Sequence, residues 1–380
     1  MIIDCDANAT YVPDEEIQRV VSAALGLSGN PSSLHRRGQR ARAALEESRA
    51  SLREFLGVGP KDEIVFTSGA TEANNTVLAS HAARFPQGRI VSTLIEHPCV
   101  LEPLKRLKAS GYDVVLVPPK SDGSVSVERI VEGVSGLNTL VSIMAANNET
   151  GVINPVAEIV RTVKNISSDI MVHTDAAQLL GKSLVSWSDL RVDLMTISGH
   201  KFGAPSGVGA IVIRDGVTLE PMILGGPQEM KLRGGTENVS GIAALGAVAS
   251  LLKGGLATRI GTMRGARDSF EALVQERIEG CSINCADQPR LPNTTSLCIP
   301  GVRADDLVVA LDLEGILVSS GAACSSGKPE PSHVLLAMGQ DEKRVKSTIR
   351  ISFRSDIDQP SVTRVVDVLA QVVGRMNRLA

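Results

Sequence analysis

Seven short, almost wholly apolar runs recur between stretches with helical spacing: "EIVFTSG" (63–69), "GRIVST" (88–93), "DVVLVP" (113–118), "TLVSIMAA" (139–146), "IMVHTD" (170–175), "DLMTIS" (193–198) and "GAIVIR" (209–214). Strands apolar along their whole length are covered on both faces. Helical stretches such as "TEANNTVLASHAARF" and "VAEIVRTVKNI" separate several of them. Strand–helix alternation of this kind predicts an α/β fold with a mainly parallel sheet flanked by helices. After about residue 255 the texture changes to one long amphipathic stretch, "ATRIGTMRGARDSFEALVQERIEG", then scattered strands and a closing helix. We therefore expect a large α/β domain over 15–255 and a smaller α+β domain made of 1–14 and 256–380. The basic stretch "HRRGQRARAALEESR" reads as a solvated helix face with Arg42 and Glu46 at i,i+4.

Charge narrows the partners. Lys plus Arg (39) nearly balance Asp plus Glu (42), and aromatics make up only 2%. That disfavours nucleic acid or an anionic membrane as the main partner and leaves a small molecule or a protein. The start, "MIIDCDANAT", has acids where a secretion signal needs bases, and the longest apolar stretch, 241–252, is too short to span a bilayer. The expectation is a soluble, cytoplasmic protein. Six cysteines, at 5, 99, 281, 285, 298 and 324, contain no CxxC pair. Five read as small apolar filler. Cys324 differs: it lies in "SSGAACSSG" (319–327), a stretch of small residues that favours neither helix nor strand and reads as a movable loop.

In open α/β sheets, ligands bind at the carboxyl ends of the strands. The first run leads into "SGATEAN", a glycine turn with Thr71 at a helix start. Such a helix N-terminus suits an anion such as phosphate, although an N-cap role explains the threonine equally well. "IMVHTD" ends on Asp175, and "DLMTIS" leads to Ser198, His200 and Lys201. Burial disfavours a charged lysine, and a depressed pKa is what an amine that forms a Schiff base requires. An amine nucleophile, an anion cup and a carboxylate at neighbouring strand ends together suit pyridoxal 5′-phosphate. The competing metal reading, His173 and Asp175 with His200, leaves Lys201 without a role and lacks a further spaced ligand.

These residues resemble a known family. "HTDAAQ" with "SGHKFGAPSGVGA" is similar to the class V aminotransferases of fold type I, and the wider set narrows this to cysteine desulfurases of the NifS/IscS type. The set comprises "ANAT", "GNPSSLHRRG", "FTSGATEANN", "EHPCVL", "ANNETG", "GGPQEMKLRGGTEN", "LPNT", "SSGAACSSG", "EPSHVL" and "IRISF", in the family's order along nearly the whole chain. The resemblance implies that Lys201 holds the cofactor and shuttles the Cα proton. Asp175 would face the pyridinium nitrogen, Gln178 the phenolic oxygen and His97 the ring face. Ala70, Thr71, Ser198 and His200 would hold the phosphate, with Thr236 reaching it from the neighbouring subunit of a homodimer. Arg350 and Asn148 would bind the carboxylate of L-cysteine, Asn148 also touching the cofactor; taken alone, Arg350 could be a surface strand residue. Cys324 would carry the sulfur as a persulfide to an acceptor protein such as an iron–sulfur scaffold, on a loop loose enough to leave the cofactor.

Departures from the family pattern are Tyr11 in place of a second threonine, and Ala322 and Ser325 in the cysteine loop. The chain also stops at "MNRLA", without the extended tail some relatives use to dock a scaffold. Two rivals share the motifs. A selenocysteine lyase or aminotransferase of the same class would not need Cys324. A non-catalytic sulfur-relay protein would not need Lys201, Asp175 and His97 together.

Overall fold

All seven apolar runs become strands of one sheet in the computed structural model, which describes residues 2–136, 138–320 and 330–378. In chain order the strands are β1 (Ile3–Asp4), β2 (Glu63–Thr67), β3 (Arg89–Thr93), β4 (Asp113–Val117), β5 (Thr139–Ser142), β6 (Met171–Asp175), β7 (Leu194–Ser198), β8 (Gly209–Ile213), β9 (Ser282–Ile283), β10 (Thr294–Cys298), β11 (Ile316–Leu317) and β12 (Thr348–Ser352). The helices are α1 (Glu15–Leu25), α2 (Arg36–Leu56), α3 (Ala70–Arg84), α4 (Pro98–Ala109), α5 (Val127–Gly133), α6 (Val156–Ile166), α7 (Trp187–Leu190), α8 (Val239–Arg277), α9 (Ala304–Leu313), α10 (His333–Ala337), α11 (Glu342–Val345) and α12 (Gln359–Asn377).

The large sheet has the order β2-β8-β7-β6-β5-β3-β4. Only β8 runs against the others, pairing antiparallel with both β2 and β7. The reason lies in the connection. Residues 199–208 between β7 and β8 hold a single 3-10 turn, Gly199–Lys201, too little chain for the crossover a parallel neighbour needs. A three-stranded antiparallel sheet, β12-β10-β9, and the parallel pair β1-β11 make up the rest. The i,i+4 pair on α2 forms as expected, Arg42 Nε lying 3.2 Å from Glu46 Oε1.

Among the described residues three sizeable apolar cores result, one of them, with Val77, Leu78, Ile90 and Leu104, packing α3 and α4 on the sheet's other face. The largest joins the sheet's inner face to α1, α2 and the first half of α8, through residues such as Ile17, Leu52, Ile197 and Leu245. The second gathers Phe270 and Val274 of α8 with Leu297, Ile351, Phe353 and Leu369. The expected boundary near 255 thus falls inside α8, which passes unbroken from the largest core to the second. Val334, Leu335 and Met338, beyond that boundary in sequence, pack in the largest core. By length and composition α8 could cross a membrane, but just over half of its most apolar window is buried within the protein.

Candidate active site

Five strands of the large sheet deliver their following residues to one cavity of about 460 Å³. Asn8 and Ala9, Ser68 to Glu72, His97, Asn148, Asp175, Gln178, Ser198, His200, Lys201 and Arg350 all line it. Every expected site residue is therefore brought together except two. Thr236 is exposed and outside this lining. Cys324, and with it the expectation of a loose loop, lies outside the described residues.

Asp175 ends β6 and is 6% exposed. Its Oδ1 accepts the Ala177 N–H at 2.9 Å, and its Oδ2 accepts Asn74 Nδ2 at 2.6 Å with Cys99 Sγ 4.0 Å away. Asn74 is itself held by the Thr196 hydroxyl at 2.6 Å, so the carboxylate has one orientation. Burial, with Asp175 next, pushes the Cys99 thiol up to about 12. Lys201 leaves the turn after β7, and its Nζ donates to the carbonyls of Asn8 (2.9 Å) and Ala9 (2.8 Å).

The anion cup forms, with a correction. Gly69, at φ 151°, is the N-cap of α3 and makes no side-chain cap; Thr71 lies inside the first turn, exposed, so the N-cap reading of Thr71 is wrong. The first-turn N–H groups have no intrahelical acceptor and are left for a ligand. Gly209 on β8 explains the tight approach: a Cβ there would stand 2.7 Å from Gly69 Cα. Glu72, an acid in this cup, is neutralised. Burial pushes it up, but Arg233 Nε at 3.0 Å and the Ser68 contacts hold it below the usual carboxylate range.

Both histidines of the cavity are held towards the neutral form. Burial, then Lys201 and Lys182, push His200 down to about 4, and its Nδ1 lies 3.1 Å from Thr10 Oγ1. His97 is the N-cap of α4, its Nδ1 accepting the Cys99 N–H at 3.1 Å, which places the ring proton on Nε2. Burial lowers its pKa; Asp175 opposes this, and Lys201 and His333 add to it.

Arg350, on β12, is 3% exposed, so the surface reading fails. Its Nη2 pairs with Asp6 Oδ1 at 2.6 Å and its Nη1 donates to the Asn148 carbonyl at 3.1 Å, while the buried Nε has no partner among the described residues. Arg350 also exchanges backbone hydrogen bonds with Ser319, in a segment that leads towards Cys324. On the far side of that segment, the Ser332 hydroxyl donates to buried Glu149. His333 Nε2 lies 2.9 Å from the Glu96 carbonyl. Tyr11, the departure in the first motif, is buried and bonded to Ser355 Oγ at 2.6 Å. The metal alternative loses its first ligand: His173 is wholly buried against Ser142 Oγ (2.9 Å) and does not line the cavity.

Residue reading missed Asn8, Asn74 and Lys182. Asn8 stands in "ANAT", yet its bonds reach Thr294 Oγ1, Asn293 Nδ2, Gln178 Nε2, Lys182 Nζ and Lys201 Nζ. Lys182 follows Gln178 at i+4, a spacing that could have pointed to it.

A family model described as Aminotransferase class-V matches residues 4–365. A cysteine desulfurase of Nostoc sp. is 36% identical over 381 residues, covering 100% of this chain and 94% of that protein. A protein named cysteine desulfurase IscS, of Dictyoglomus turgidum, is 37% identical over 354 residues, covering 93% of this chain and 89% of its own length. Among solved structures, one titled NifS-like protein matches with a TM-score of 0.90 at 36% identity, covering 98% of this chain and 100% of that one. Another, titled SspA in complex with cysteine, matches with a TM-score of 0.80 at 30% identity over 93% of this chain and 99% of that one. The chain belongs to the class V aminotransferase family, within its branch of NifS/IscS-type cysteine desulfurases.

Proposed function

We propose that this protein converts L-cysteine to L-alanine and passes the sulfur, by way of Cys324, to an acceptor protein. The observation that carries this reading is the meeting of Lys201, Asp175 and the open N-terminus of α3 in one cavity. That donor set fits pyridoxal 5′-phosphate: an amine for its carbonyl carbon, a fixed carboxylate for its ring nitrogen, and free N–H groups with hydroxyls for its phosphate. Bound there, the cofactor would supply an electron sink for negative charge at the substrate's Cα.

The chain's own residues then have distinct tasks. Lys201 would anchor the cofactor and move the Cα proton, its amine resting meanwhile on the Asn8 and Ala9 carbonyls. Asp175 would hold the ring nitrogen protonated, and Gln178 would donate to the phenolic oxygen. Ala70, Thr71, Ser198 and His200 would take the phosphate; a neutral His200 does so as a hydrogen-bond donor or not at all. His97, with its proton on Nε2, would stack on the ring and serve as acid or base. The Arg350 fork, already beside Asn148, would bind the substrate carboxylate. The Cys324 thiolate would attack the substrate sulfur: an S–S bond forms, the C–S bond breaks, and Cβ takes up a proton to give alanine. Thr236, exposed and outside its own chain's cavity, suits contact with a partner's phosphate and hence a homodimer.

Loaded with pyridoxal phosphate and given L-cysteine with a thiol reductant, the protein should release alanine and sulfide in equal amounts. Lys201→Ala should lower that rate by at least ~100-fold. Wild-type turnover by Lys201→Ala, or a keto acid in place of alanine, would overturn the reading.

A further inference from the structure

Lys182 is 2% exposed, yet it does not line the cavity. Its Nζ donates to Gln178 Oε1 at 2.6 Å and to Asn8 Oδ1 at 2.9 Å. The charged groups acting on it are both cations, Lys201 and Arg350, and it acts in turn on His200. Burial, then these cations, push its pKa well below that of an ordinary lysine. A neutral amine has two N–H donors, matching the two oxygens it meets. An ammonium would bring a further proton and a charge that no carboxylate among the described residues offsets.

Gln178 is a primary amide whose two ends face different demands. Its Oε1 is occupied by Lys182, and one Nε2 hydrogen goes to the Asn8 carbonyl at 2.9 Å, the same oxygen that Lys201 Nζ touches. Asn8 cannot rotate to compensate. Its Oδ1 also accepts Asn293 Nδ2 at 3.1 Å, while its Nδ2 donates to Thr294 Oγ1 and the Asn148 carbonyl. Turning the Gln178 amide over would set oxygen against oxygen at the Asn8 carbonyl, and would leave one Lys182 N–H without the oxygen it now meets. The second Nε2 hydrogen is therefore left for the cavity that Gln178 lines.

We propose that Lys182 is a positioning residue: by holding Oε1 of Gln178 it makes the amide present a donor, and never an acceptor, to the bound cofactor. The inference rests on the pyridoxal phosphate reading above. A donor facing the phenolic oxygen stabilises that oxygen's anion, so its loss raises the pH at which the bound cofactor's near-visible absorbance changes form. One such hydrogen bond corresponds to a shift of about one pH unit.

The test uses the full chain loaded with pyridoxal 5′-phosphate, with far-UV circular dichroism as the fold control. Lys182→Met keeps the apolar stem and removes the amine. It should raise the absorbance midpoint by about one pH unit and lower kcat for L-cysteine ~10-fold, with KM nearly unchanged. Gln178→Leu should raise the midpoint by a similar amount, and the double variant should go no further than Gln178→Leu alone. A Lys182→Met midpoint equal to wild type overturns the proposal, as does an additive shift in the double variant. If Lys182→Met does not fold, Lys182→Leu takes its place with the same shift expected and a wild-type midpoint again overturning the proposal, while an additive shift in the double variant over Gln178→Leu overturns it in either case. A wild-type chain that takes up no pyridoxal phosphate would instead overturn the underlying reading and the inference with it.

Discussion

At the scale of residues, His173 shows how a polar side chain beside a site can serve the fold. It shares β6 with Asp175, but its Nδ1 lies 2.9 Å from Ser142 Oγ, and its buried Nε2 has no partner among the described residues. Burial holds the ring neutral, its pKa down to about 3. An unfolded histidine titrates near 6.5, so the stability held by the neutral ring is fully present above that pH and is lost as pH falls towards the folded value. His173 should contribute about 1.4 kcal/mol of destabilisation for each pH unit below ~6. Denaturant titrations of His173→Gln at pH 6.5 and pH 4.5 should show a correspondingly shallower loss than wild type; an identical slope would show that another group governs it. The same burial logic separates the legible from the hidden residues. Asp175 and Lys201 stand directly after apolar strands, where a charge invites explanation. Lys182 and Asn8 acquire their meaning from partners far away along the chain, such as Thr294, which no local pattern announces.

At the scale of elements, α8 carries the clearest difference between expectation and structure. The boundary expected from the change in texture near 255 lies beside the Gly254–Gly255 pair, and two glycines weaken an isolated helix. Packing overrides that preference: α8 runs through the pair along α1, α2 and α12. Other glycines of α8 have opposite local settings. A Cβ on Gly246 would come within 2.5 Å of Ser48 Cα on α2, whereas one on Gly261 would meet none of the described residues within 4 Å. Gly246→Ala should therefore destabilise by roughly 1–3 kcal/mol despite alanine's better helix propensity. Gly261→Ala should stabilise by up to ~1 kcal/mol. Thermal unfolding of the two variants checks this, and a stabilised Gly246→Ala would contradict the close crossing of α2 and α8. The seven sheet strands were legible because continuous apolarity marks burial on both faces. The reversed direction of β8 was not, since it depends on how little chain separates it from β7.

At the scale of the whole molecule, the site is built between two cores. The large sheet supplies Asp175, Ser198 and Lys201, the three-stranded sheet supplies Arg350, and the N-terminal segment crosses between them with Asn8. A substrate held by Arg350 would lie near the Ser319–Arg350 bridge, from which the chain continues towards Cys324. The proposed function stands or falls on whether sulfur passes through this cysteine. Mass spectrometry of the pyridoxal phosphate-loaded protein, after brief exposure to L-cysteine without reductant, reads that step itself. The peptide carrying Cys324 should gain the mass of one sulfur atom, and Lys201→Ala should show no such gain. Full alanine and sulfide release by Cys324→Ala, with no sulfur ever found on that peptide in the wild type, would contradict the proposal.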